Sequence, residues 1–173
     1  MHQLVVLSGH MGTGKSTLTK KVIEKLPHLA VRDVFDHIVK YKNEVGYISD
    51  EDTAKAYDEV YQELELLNQD TILEIGVRNP EFNLVKLNDL KSKFDITIIC
   101  CLLDKDICIK RVMERGKQGQ KYVIQRDRLE NKFKIPFPDI HFALAQKLQI
   151  PIKNLDMSKS SEEFMNTIVK SFC

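Results

Sequence analysis

The chain has 173 residues, 43% hydrophobic and 29% charged, which suits one ordinary globular domain with a full core. A formal charge of +1 excludes a global field drawing it to nucleic acid or membrane, and leaves only local basic patches for such partners. No apolar run reaches the length of a membrane span, Met1 leads straight into an apolar run with no room for a signal peptide, and Cys100, Cys101, Cys108 and Cys173 form no C-x-x-C pair, so a reduced, cytoplasmic protein is expected.

Residues 4–8 form an apolar run that predicts a buried strand. The next residues are Gly9, His10, Met11, Gly12, Thr13, Gly14, Lys15, Ser16 and Thr17, with the Walker A (P-loop) spacing of Gly9, four residues, then Gly14-Lys15-Ser16. A segment with helical composition follows, residues 16–25. Strand, glycine-rich turn and helix N-terminus are what a polyphosphate site requires. The glycines let backbone N–H groups from Gly9 to Gly14 turn inward around phosphate oxygens, and the helix end adds unpaired donors and a favourable dipole. Lys15 is expected to reach the β- and γ-phosphates, Ser16 to ligate Mg²⁺ and Thr17 to touch the α-phosphate. ATP and Mg²⁺ are the implied ligands.

Pro27 ends the first helix, and residues 29–31 read as a short second strand. Arg32 and Asp33 come directly after it, at the strand end that opens onto the ligand crevice of a doubly wound sheet. A carboxylate there can take the proton of an attacking hydroxyl, and Asp33 is the first candidate base, with Asp36 its competitor. Asp33 can also cap the helix expected over residues 34–41, and the two roles are compatible. Residues 50–69 predict a long helix with Tyr57, Val60, Tyr61, Leu64 and Leu67 on one stripe. The third strand, residues 71–75, runs into Glu74 and a loop carrying Arg78. Glu74 can hold Mg²⁺ through a water, and Arg78 can grip an anionic part of an acceptor.

Pro80 suits the start of a helix to about residue 91. Residues 96–103 are the most apolar strand, central and covered on both faces, with Cys100 and Cys101 facing opposite ways. In the helix expected over 104–115, Arg111 and Arg115 share a face. Arg111 can stack on a nucleobase and Arg115 can neutralise charge on a moving phosphoryl group. The polar segment from Gly116 carries Lys117, Lys121, Arg126 and Arg128 and predicts a small lid over residues 116–134. Pro136 and Pro138 mark a loop, and residues 150–155 read as a last strand that Pro151 confines to an edge. Ser160 and Glu163 have capping-box spacing for a final helix with Phe164, Ile168 and Phe172 on its apolar face.

Alternating strands and helices predict an α/β protein with a parallel sheet. The motifs together resemble the nucleoside- and nucleotide-kinase-like P-loop phosphotransferases, a group that includes adenylate, shikimate and gluconate kinases and polynucleotide 5′-hydroxyl kinases. GHMGTGKST is similar to their phosphate loop. RVMER, at Arg111 and Arg115, resembles the start of the adenylate kinase lid, where the first Arg packs on adenine and the second contacts phosphate. LEIGVR, ending at Arg78, is similar to the segment whose Arg binds the acceptor phosphate. Arg32-Asp33 resembles the RD pair of the 5′-hydroxyl kinases, whose Asp is the base. Asn154 to Ser158 resembles the loop lining the adenine pocket. The resemblance implies a three-layer sandwich around a five-stranded parallel sheet of order 2-3-1-4-5, one kinase domain over residues 1–173.

The leading expectation is an ATP- and Mg²⁺-dependent kinase acting on a small hydroxyl-bearing metabolite, nucleoside- or sugar-like. Lys15, Asp33 and Arg115 would carry the chemistry. Arg32, Arg78, Arg126 and Arg128 would serve the acceptor side. The alternatives are a nucleoside monophosphate kinase, a polynucleotide 5′-hydroxyl kinase and an ATP-binding module without catalysis. The acceptor's identity, the choice of ATP over GTP and the oligomeric state are not encoded in any motif.

Overall fold

The computed structural model describes residues 1–43, 47–117 and 126–172. Five strands, β1 (His2–Ser8), β2 (Ala30–Asp33), β3 (Thr71–Ile75), β4 (Phe94–Leu102) and β5 (Ile152–Asp156), form one sheet. Its order is β2-β3-β1-β4-β5, and each pair for which register is defined is parallel. The helices are α1 (Lys15–Lys25), α2 (Val34–Tyr41), α3 (Asp50–Leu66), α4 (Pro80–Asp89), α5 (Lys105–Lys117), α6 (Arg126–Lys132), α7 (Asp139–Lys147) and α8 (Ser161–Val169). A 3₁₀ turn, Leu90–Ser92, follows α4.

The sheet separates two apolar cores. One gathers Leu4, Val6, Tyr57, Tyr61, Leu64, Leu84, Leu87 and Cys100; the other gathers Val5, Leu7, Leu18, Val22, Cys101, Phe164 and Ile168. Alternate residues of β1 therefore feed opposite faces, as the two-residue period of a strand requires. Cys100 and Cys101 likewise point to opposite cores. Burial on both faces explains why β1 and β4 read as unbroken apolar runs. It also fixes their register, since a slip by one residue would exchange the two cores.

The structure adjusts several sequence expectations. β2 runs on through Arg32 and Asp33, which close the strand rather than follow it. α3 stops at Leu66, leaving Leu67 just beyond the helix but still packed on the core. α7 fills a stretch for which the sequence suggested no element. Ser160 does precede α8, but its side chain makes no cap bond. Glu163 instead faces Lys159 at 3.5 Å, an i,i+4 ion pair that replaces the expected capping box. Residues 118–125 of the expected lid, with Lys121, lie outside the described residues; its C-terminal part is α6.

Candidate functional site

The phosphate loop joins β1 to α1 at the C-terminal edge of the central strand. Two of its glycines, Gly12 (φ +86°) and Gly14 (φ +99°), occupy the left-handed region that L side chains rarely enter. Space excludes a side chain as well: a Cβ on Gly12 would lie 2.5 Å from the Cys108 carbonyl oxygen on α5, and one on Gly9 would lie 2.8 Å from that of Cys101 on β4. The loop is thus pressed against β4 and α5. Thr13 Oγ1 ties it across itself by donating to the His10 carbonyl at 2.9 Å.

Lys15 opens α1 and folds back over the loop. Its Nζ donates to the carbonyls of Gly9 (2.8 Å) and His10 (3.2 Å). Burial pushes its ammonium below the usual lysine range, while the carboxylates of Glu74 and Asp33 pull it back up. Ser16 Oγ donates to Glu74 Oε2 at 2.8 Å, joining α1 to the end of β3. Glu74 is buried, and Leu7 of β1 stands beside it in register.

Asp33 lies opposite Glu74 on the neighbouring strand. Its Oδ1 accepts the Phe35 N–H at 2.9 Å, so it does cap α2. Burial raises its carboxyl to about 6; the Phe35 N–H and Lys15 oppose that rise, and the Glu74 and Asp36 carboxylates add to it. Asp36, one turn further on, is exposed. Arg32 is engaged elsewhere. Its Nε lies 2.6 Å from Glu63 Oε2 on α3, and its Nη1 donates to the Val31 carbonyl. Glu63 also faces His37 Nε2 at 3.3 Å, while His37 Nδ1 meets Glu59 at 2.9 Å. Arg32 and His37 together fasten α2 and β2 to α3.

Arg111 reaches the loop, with Nη1 donating to the Gly12 carbonyl at 3.3 Å. Arg115 is exposed, and its Nε donates to the Arg111 carbonyl one turn back. On the far side of Gly14 stands the Met157 methyl, 3.6 Å from where a Cβ would project, with Arg111 Nη1 at 3.8 Å from the same point. Arg126 pairs with Glu130 at 2.9 Å, and Arg128 is exposed. Arg78 is exposed on the loop after β3, where its own carbonyl accepts from the buried Asn83 side chain at 2.9 Å. It borders an open cleft of about 320 Å³ with Asp50, Thr53, Asn79, Glu81 and Ile135.

His10 and Met11 of the loop meet residues that carried no sequence motif. His10 stacks on Phe133 with ring centroids 4.1 Å apart and meets the edge of Phe137 at 5.5 Å. Burial lowers the His10 imidazole to about 4, helped by Lys15, so it is neutral near pH 7. Lys132, at the end of α6, brings its Nζ to 3.6 Å from Met11 Sδ on the phosphate loop. Their spacing in α6 and its sequel carried no signal, because the contacts are to a loop more than 120 residues away in the chain.

The donors present suit a magnesium nucleotide. Ser16 and Glu74 offer hard oxygens already paired at 2.8 Å. Among the described residues no three His, Cys, Asp or Glu side chains gather as a protein-only metal cage. Mg²⁺ with few protein ligands and the rest from phosphate and water fits that donor set.

Sheet order, left-handed glycines, loop lysine and the Ser–Glu pair describe an α/β fold of the P-loop type. No known family model matches the sequence, and neither does any curated protein. Solved structures do match. A candidate kinase from Chloroflexus aurantiacus J-10-fl superposes with a TM-score of 0.73 over 99% of both chains at 17% identity. A gluconokinase from Sinorhizobium meliloti 1021 gives 0.66 over 98% of this chain and 91% of its own at 10% identity. A sugar kinase from Janibacter sp. HTCC2649 gives 0.64 over 98% and 94% at 13% identity. At these identities the likeness is one of fold.

Proposed function

We propose that the protein is a kinase moving the γ-phosphoryl group of ATP to a hydroxyl of a small sugar- or nucleoside-like metabolite. The observation that carries this reading is Asp33. Its carboxylate closes β2 beside Glu74, within electrostatic reach of Lys15, with a proton affinity raised to about 6. A base of that strength is largely ionised at neutral pH and still accepts a proton readily. An acceptor already ionised, such as a phosphate, needs no such group. The names of two structural neighbours, a gluconokinase and a sugar kinase, support a small hydroxyl acceptor.

In this mechanism the amides of Gly9 to Gly14 and Lys15 cradle the triphosphate, with Thr17 at the α-phosphate. Arg111 and Met157, both against Gly14, border the nucleobase. Ser16 and Glu74 would hold Mg²⁺, which neutralises phosphate charge when bound. Asp33 takes the acceptor hydroxyl's proton as the new O–P bond forms and the bond to the β-phosphate oxygen breaks, releasing ADP. Arg115, with Arg126 and Arg128, neutralises charge on the moving group. Arg78 meets the acceptor, and Arg32 serves it by anchoring β2 through Glu63.

The test is a transfer screen with labelled ATP and Mg²⁺ against pooled sugars, nucleosides, nucleoside monophosphates and short oligonucleotides, with Lys15→Ala as the blank. Transfer to a small hydroxyl compound, with turnover lost in Asp33→Asn at unchanged ATP affinity, is expected. Transfer to a monophosphate that survives Asp33→Asn overturns the reading. ATP binding without transfer to any acceptor reduces the protein to a binding module.

A further inference from the structure

The phosphate loop offers the rest of the molecule few handles. Three of residues 9–14 are glycines, and Thr13 uses its hydroxyl inside the loop, on the His10 carbonyl at 2.9 Å. His10 and Met11 are the residues whose side chains reach outward, and both are gripped by α6 and the chain just after it. The His10 ring lies against the face of Phe133, centroids 4.1 Å apart and planes 22° from parallel, with the edge of Phe137 at 5.5 Å. Phe137 is backed in turn by the edge-on ring of the fully buried His141, 4.9 Å away. Met11 packs on a small third core with Ile109 and Val112 of α5 and Leu129 of α6, and Lys132 Nζ stands 3.6 Å from its sulfur.

This grip meets the chemistry at the His10 carbonyl. It accepts both the Thr13 hydroxyl and the Lys15 ammonium, the latter at 3.2 Å, while the Gly9 carbonyl holds the same ammonium at 2.8 Å. A phosphate-binding lysine works only when held within about 0.5 Å of its productive place. Burial keeps the His10 imidazole neutral near pH 7, so the rings hold it by packing and not by charge.

Resting on the nucleotide site of the kinase reading above, we propose that His10 is a positioning residue: its ring, clasped by Phe133 and Phe137, fixes the loop carbonyl that aims Lys15 at the triphosphate. A carbocyclic ring should then serve in place of the imidazole, and a small side chain should not.

Calorimetry gives the magnesium ATP dissociation constant of the parent, His10→Ala, His10→Phe, Phe133→Leu and the double variant His10→Ala/Phe133→Leu, with a urea melt of each to show that the binding form is folded. His10→Ala should raise the constant by about tenfold, the scale of a lost aromatic pair. Phe133→Leu, which keeps the small core filled, should do much the same. The double variant should be no worse than the weaker single by more than about twofold, because both remove one contact. His10→Phe should recover most of the loss. An unchanged constant in His10→Ala, a His10→Phe as weak as His10→Ala, or full additivity in the double variant overturns the proposal. If the parent still transfers phosphate, the kinase reading stands without it.

A second readout needs no ligand. The Lys15 side-chain resonances of the nucleotide-free protein, assigned by their loss in Lys15→Ala, should move toward those of an exposed lysine in His10→Ala and Phe133→Leu, and stay near the parent's in His10→Phe. No movement overturns the proposal. Movement with the expected affinities, in a protein that transfers phosphate to no acceptor, upholds the clasp and defeats the kinase reading.

Discussion

Asp33 caps α2, and in the proposed mechanism it would also be the base, two roles with different demands on its proton. As a helix cap it needs only a lone pair, which either protonation state supplies. As a base it must be ionised. The fold raises its carboxyl from 3.8 to about 6, so the folded chain holds a proton that the unfolded chain releases. That contribution to stability is complete below pH 3.8 and is lost as pH rises through about 6. Asp33→Asn keeps the cap and removes the buried charge. It should be more stable than the parent by about 1 kcal/mol at pH 8, a figure reduced for solvent screening, with no such gain at pH 4. Thermal melts across that range check it. The parent's kcat/KM should climb with pH through about 6, and the variant's turnover should fall by about 10²–10⁴. At this scale the phosphate loop was legible because its residues are contiguous and their chemistry is local. Lys132 was not, because the contact that gives it meaning is to Met11, at the other end of the chain. Arg32 next to Asp33 suggested an acceptor contact, and the sequence could not show Glu63 coming from α3 to claim it.

Elements transmit position to the loops they carry. Tyr61 of α3 donates to Asn83 Oδ1 at 3.0 Å, and Asn83 Nδ2 donates to the Arg78 carbonyl at 2.9 Å. Asn83 is fully buried, so this relay joins α3 and α4 to the loop that presents Arg78. Asn83→Ala would leave the buried Tyr61 hydroxyl only its longer 3.4 Å bond to the main-chain carbonyl at position 83 and would strand the Arg78 carbonyl. It should cost about 1–3 kcal/mol in urea unfolding and raise the acceptor KM with ATP affinity unchanged. The helices with broad apolar stripes, α3 above all, could be read from periodicity. α7 could not: its only fully buried side chains are His141 and Ala145, and the prolines before it masked its start. The capping box at Ser160 failed for a related reason. Its spacing was right, but Lys159 offered Glu163 a cation at the distance a helix turn provides.

For the whole molecule, strand alternation and apolar runs were enough to indicate a parallel sheet, and the motif resemblance supplied its order. What lay beyond both was the seating of the end of α6 and Phe133 against the loop at His10 and Met11, which depends on how distant segments pack. The fold also makes ligand binding and stability one equilibrium. Magnesium ATP at about a hundred times its dissociation constant should add about 2.7 kcal/mol, raising the melting temperature by roughly 5–10 °C, and Lys15→Ala should abolish most of that rise. Differential scanning fluorimetry with and without nucleotide checks it.

The strand order has a last consequence. β1, which feeds the donor loop, is bonded on both sides; β2, which ends at Asp33, is bonded only to β3. Amide protons of β2 should therefore trade with deuterium sooner than those of β1, through fraying that leaves the rest of the sheet intact. In the proposed mechanism the acceptor's half of the machinery would hang on the looser seam and the donor's half on the tighter one. If the kinase reading holds, drift in the acceptor would then disturb little of the donor side.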